Sequence, residues 1–107
     1  MTSPYDFDHY ELFDSFMPTS GYDWSVVGIF RRKTDGVLFW ATDSGCSCTS
    51  EWEDSEDYYD FIPLSTGSVD KLRDAACEFA DNVGERDKAH EWVAKWAREL
   101  EKANFNG

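Results

Sequence analysis

Trp24-Ser25-Val26-Val27-Gly28-Ile29-Phe30-Arg31-Arg32, then Lys33-Thr34-Asp35-Gly36, then Val37-Leu38-Phe39-Trp40-Ala41-Thr42: the reading of this stretch decides the fold. Branched and aromatic residues dominate both flanks, which suits a pleated, half-buried surface. Between them an Asp-Gly pair supplies the positive φ that a tight hairpin turn needs. The pattern predicts two antiparallel strands, 24–32 and 37–42. Side chains alternate along a strand, so Val26, Gly28 and Phe30 share one face and Val27, Ile29 and Arg31 the other. Both faces carry apolar residues. The hairpin is therefore expected to be central, with helices on one side and either the following loop or a partner on the other.

Outward toward the C-terminus the period changes from two to 3.6. Ser68 is placed to cap a helix whose first turn holds Asp70, near the positive end of the helix dipole. Val69, Leu72, Ala76, Phe79 and Val83 recur at helical spacing, and Gly84 ends the run. A second stripe, Ala89, Trp92, Val93, Trp96 and Leu100, follows at once. The short link makes the two helices, 69–82 and 85–103, an antiparallel pair. Leu72, Phe79, Trp92 and Trp96 are expected to face the sheet. Toward the N-terminus, Tyr10, Leu12, Phe13 and Phe16 suggest a further strand. Phe61, Ile62 and Leu64 suggest a short edge strand that Pro63 limits. The fold class is α+β: a short antiparallel β-sheet centred on a hairpin, packed against a C-terminal antiparallel helical pair. Its 107 residues form one domain, β-rich over 1–67 and helical over 68–104.

The chain carries a net charge of −12, while 17% of its residues are aromatic, so it has the material for a core that disordered acidic chains lack. The charge is uneven. Residues 1–70 hold 14 acids and 3 bases, a balance of −11; residues 71–107 hold 8 acids and 7 bases, a balance of −1. A negative surface repels phosphate backbones, so direct nucleic-acid binding is not expected, whereas basic protein surfaces are attracted. No apolar run approaches the ~20 residues of a membrane span. The N-terminal ten residues are polar and acidic, unlike a signal peptide. Three cysteines, an odd number, fit a reducing compartment better than a disulfide framework.

Two segments between the hairpin and the helices hold the candidate chemistry. In Cys46-Ser47-Cys48, two thiols on a Gly-containing loop can serve a soft metal such as zinc, whose closed sites need four ligands, provided Cys77 and His90, or His9, complete the set. That spacing is not one of the usual zinc patterns. The competing expectation is a tight turn over Asp43–Cys48, held by the Asp43 carboxylate on backbone amides one or two residues on. In that reading Cys77 packs in the core. The second segment, Glu51-Trp52-Glu53-Asp54-Ser55-Glu56-Asp57-Tyr58-Tyr59-Asp60, has six acids in ten residues. Trp and Tyr are common interface anchors. Glu51, Trp52, Glu53, Asp54, Glu56, Asp57, Tyr58, Tyr59 and Asp60 are therefore the candidate interaction surface. There is no Gly-rich phosphate loop, no HExxH and no calcium loop. The chain is read as non-catalytic and without a cofactor.

The segment Gly36-Val37-Leu38-Phe39-Trp40-Ala41-Thr42-Asp43-Ser44-Gly45-Cys46-Ser47-Cys48, with the acids and aromatics after it, resembles small acidic proteins of unknown function encoded by actinobacteriophages. The likeness spans about residues 24–60. It implies action in a bacterial host cytoplasm. With the charge pattern, it leads to an interaction module for a host protein with a basic surface. Two alternatives accompany it: a small zinc-binding protein using Cys46 and Cys48, and a DNA mimic that inhibits a host DNA-binding protein.

Overall fold

The computed structural model describes residues 7–18, 23–46, 51–52, 54–65, 67–81 and 83–106. Four strands, β1 (Tyr10–Phe16), β2 (Asp23–Arg32), β3 (Leu38–Cys46) and β4 (Ile62–Pro63), precede two helices, α1 (Val69–Asp81) and α2 (Arg86–Asn106). The strands form one antiparallel sheet in sequence order, β1-β2-β3-β4. This is the expected α+β arrangement, with the expected hairpin as its centre. Gly36 closes the turn at φ 75°, a conformation that suits a residue without Cβ. The Asp35 carboxylate braces the turn, accepting from the Val37 amide at 3.1 Å and from Arg32 Nε at 3.0 Å.

One expectation is corrected. Asp43–Cys46 is not a turn: β3 runs on through Cys46, pairing Asp43 with Val26 and Cys46 with Asp23. Ladder hydrogen bonds to the long β2 outweigh the turn tendency of Asp-Ser-Gly. Residues 47–50, with Cys48 among them, and the side chain of Cys46 lie outside the described residues.

From Val26 to Phe30 every residue of β2 is buried, although the side chains alternate. Each face of the sheet therefore has its own core. On one face Val27, Ile29 and Trp40 pack against Val69, Leu72, Ala76, Cys77 and Ala80 of α1 and Ala89, Val93 and Trp96 of α2. On the other, Val26, Phe30 and Ala41 pack under Trp52 and Tyr59, with Phe7, Tyr10, Leu12 and Phe61 around them. The loop covers the second face, the first of the two covers expected there. Gly84, at φ 70°, ends the first helix and starts the link. Ser68 holds the expected N-cap position, its carbonyl accepting from the Leu72 amide at 3.1 Å, but its hydroxyl donates to the Pro63 carbonyl at 2.8 Å and accepts from the Ser65 amide at 3.0 Å, tying the entry to α1 instead of bonding a helix amide.

β1 carries an irregularity that decides one contact. Leu12 pairs with Phe30, and Asp14, not Phe13, pairs with Ile29. Phe13 is thus an extra residue, a β-bulge. Without it Asp14 would share the face of Leu12. With it, Asp14 points to the helices, where its Oδ2 accepts from Trp92 Nε1 at 3.0 Å, Trp96 Nε1 at 2.9 Å and Lys95 Nζ at 2.8 Å. The same register puts Phe16 on Trp92, ring centroids 5.6 Å apart.

Candidate functional site: the acidic strap

Residues 51–61 cross the sheet face opposite the helices as a strap. Trp52, Tyr59 and Phe61 turn inward, and Asp54, Asp57 and Asp60 outward. Trp52 is 1% exposed and Tyr59 6%. Neither is free to anchor a partner, which corrects that part of the candidate surface: a sheet face as apolar as Val26/Phe30/Ala41 is covered by the nearest large aromatics. Phe30 meets Trp52 edge-on at 4.8 Å between centroids, and Tyr10 stacks on Phe61 at 4.0 Å. Outside, Asp54, Asp57 and Asp60 are exposed, and Glu51 and Glu56 are half-buried. Tyr58 stands out at 68% exposure on a short 3-10 turn, Glu56–Tyr58. Glu53 lies outside the described residues.

The seat of Trp52 is built by β2 and β3. A Cβ on Gly28 would sit 2.6 Å from the Trp52 ring, 2.9 Å from Phe30 and 3.2 Å from Leu12, so only glycine leaves room for the indole. The Trp52 backbone adopts φ 59°, left-handed for a bulky residue. Its indole Nε1 is buried with no hydrogen-bond partner among the described residues.

Two carboxylates hold the strap down. Asp43 Oδ2 accepts from the Trp52 amide at 2.8 Å and the Tyr59 hydroxyl at 3.3 Å, while Oδ1 accepts from the Ser44 amide at 2.9 Å. Asp43 thus satisfies amides as its sequence context suggested, but those of the strap as well as its own neighbour. The Tyr59 oxygen accepts from the Asp54 amide at 3.0 Å. Burial, aided by the charges of Asp43 and Asp54 and opposed by that amide, pushes the Tyr59 phenol up to about 12, so it stays a neutral donor. At the far end Glu56 accepts from the His9 amide at 2.8 Å and meets His9 Nδ1 at 2.7 Å. The side-chain hydrogen bond and the charge of Glu56 raise the His9 pKa above 6.5. Burial acts to raise the Glu56 pKa, but its bonds to His9 prevail and lower it below 4.5.

Of the candidate metal ligands, Cys77, His90 and His9 are described, and the three do not come together. Cys77, in the helix-side core as expected, lies 3.6 Å from His90 Nε2 across the helical pair, whereas His9 is bound to Glu56 beside the strap. Among the described residues no three His, Cys, Asp or Glu side chains converge. The sequence reading missed Asp14 as the acceptor for two indoles, because a bulge has no local signature there. It also missed that Trp52 is core. Gly28, a gap in an otherwise bulky strand, was the available signal.

Fold and strap together define an acidic α+β domain whose central sheet is covered by helices on one face and by its own acidic-aromatic loop on the other. The family described as Domain of unknown function (DUF7574) matches residues 1–105, and the chain belongs to it. Comparison with curated proteins returns no match, and comparison with solved structures returns none either. No helix among the described residues is long and apolar enough to cross a membrane.

Proposed function

We propose that this chain is a non-catalytic, phage-encoded interaction module that engages a basic surface on a host protein in the bacterial cytoplasm. The strap carries the reading. Asp54, Asp57 and Asp60 face solvent and make no ion pair with any described cation. The cations of the helical region are largely occupied: Arg73, Arg86, Lys88, Lys95 and Lys102 each pair with a carboxylate. The negative field is therefore concentrated on the strap side, where Tyr58 offers a protruding aromatic among the acids. Steering of this kind raises association rates with basic partners and weakens with salt. Asp43, Trp52 and Tyr59 support that surface from beneath and are not part of it.

The test is capture from host lysate by the wild type and by Asp54→Asn/Asp57→Asn/Asp60→Asn, at low and moderate salt. A partner held by the wild type at low salt, released by moderate salt and lost by the triple variant supports the reading. Equal capture by both proteins, or no capture at either salt, refutes it.

A further inference from the structure

The strap has no described ladder pairing with the sheet face it covers. Between Trp52 and Phe61 its described backbone hydrogen bonds are internal, Tyr58 to Ser55 at 2.9 Å and Tyr59 to Glu56 at 3.3 Å. Ladder pairing resumes only at Ile62, opposite Trp40. What holds the strap is side-chain contact: the Asp43 bonds, the His9–Glu56 tie and the aromatic packing. Near its start Trp52 combines a left-handed backbone with a buried indole N–H that has no hydrogen-bond partner among the described residues. Each disfavours the closed arrangement relative to one in which the indole is in water. The helix-side core shares no side chain with the strap core, because the sheet lies between them. Loss of one need not dissolve the other.

We propose that the 51–61 strap is a displaceable plug. It lifts as a local unit while the sheet and helices stay folded, and it uncovers above Gly28 a preformed apolar hollow that takes one flat aromatic group. Trp52 is the occupant of the closed state. The hollow is walled by Val26, Phe30, Ala41 and Leu12, and its depth comes from the missing Cβ of Gly28. Its shape fits an indole or similar fused ring. This inference does not depend on the proposed host partner, since it concerns an equilibrium of the isolated chain.

The test is native-state hydrogen exchange of the wild type, followed by NMR at low urea concentrations. The Trp52 Nε1 proton and the Asp54 amide report on the strap; the amides of Leu72 and Val93 report on the helix side. The expected result is protection of the strap probes at least about 100-fold below that of the helix probes, with little urea dependence, as in sub-global opening. Exchange of all four in step, with one urea dependence, overturns the proposal. A second arm uses Trp52→Gly, which accepts the left-handed φ and empties the hollow. The variant should keep the slow amides of α1 and α2, and added indole should raise its Tm. Loss of helix protection in the variant, or no Tm shift at saturating indole, also overturns it.

Discussion

Replacing Asp14 by alanine should separate α2 from the sheet edge at a cost that the geometry sets. One oxygen, Oδ2, accepts from two indoles and an ammonium. Trp96 is 5% exposed, so its orphaned N–H would carry most of the ~1–3 kcal/mol of an unsatisfied buried donor. Trp92 is half-buried and water can partly replace its acceptor. The Lys95 side chain is 51% exposed, so that pair is worth at most ~1 kcal/mol. Together these predict a loss of about 2–4 kcal/mol for Asp14→Ala. Asp14→Asn keeps one acceptor without the charge and should lose about 1–2 kcal/mol. Urea unfolding followed by both circular dichroism and tryptophan fluorescence measures the change, with unchanged slope as the sign that only stability moved. The pH dependence adds a constraint. Burial acts to raise the Asp14 pKa, but the bonds from Lys95, Trp96 and the Ser15 amide prevail and lower it below 3.8. Its contribution is therefore complete above the unfolded value and disappears as pH falls through the folded one, so wild type and Asp14→Asn should converge in acid. An Asp14→Ala protein within about 0.5 kcal/mol of wild type at neutral pH would refute the assignment of Asp14 as the shared acceptor.

Three further outcomes are expected. Trp96→Ala should cost about 3–5 kcal/mol by calorimetry or urea melting, and a wild-type-like melt would remove Trp96 from the core. Asp43→Ala strips the acceptor from the Trp52 amide and Tyr59 hydroxyl and should cost about 1–3 kcal/mol, with faster exchange at Trp52; unaltered exchange there would contradict the role given to Asp43. The His9 ring should titrate above 6.5 by NMR and fall back in Glu56→Gln. Because its folded pKa is raised, the tie is complete below 6.5 and weakens as pH rises through the folded value, and an unmoved His9 titration in Glu56→Gln would count against the tie.

The elements legible in sequence were those with strong local periodicity. The 24–42 hairpin announced itself through Asp35-Gly36 between β-rich runs, and the helices through the stripes ending in Val83 and Leu100. The N-terminal strand was legible from Tyr10 to Phe16, but not the bulge at Phe13 that turns Asp14 around. The candidate site was legible only in outline. Charge density marked residues 51–60, yet the sorting of that segment into buried Trp52 and Tyr59 and exposed Tyr58 depends on the hollow at Gly28, a tertiary fact. The end of β3 was misjudged for a similar reason: Asp43-Ser44-Gly45 reads locally as a turn, and only the length of β2 opposite keeps it extended.

Gly28 also bears on how the chain finds its pairing. β2 is apolar on both sides from Val26 to Phe30, so polarity alone would tolerate a slip of one residue, which exchanges every side chain between faces. Such a slip would bring the notch at Gly28 beneath the helices as a void and set a branched side chain where the Trp52 ring must lie. The first error loses packing on the helix side and the second is a clash on the strap side, so the absent side chain acts as an alignment key for the central strand, discriminating against misregistered sheets that hydrophobicity would accept.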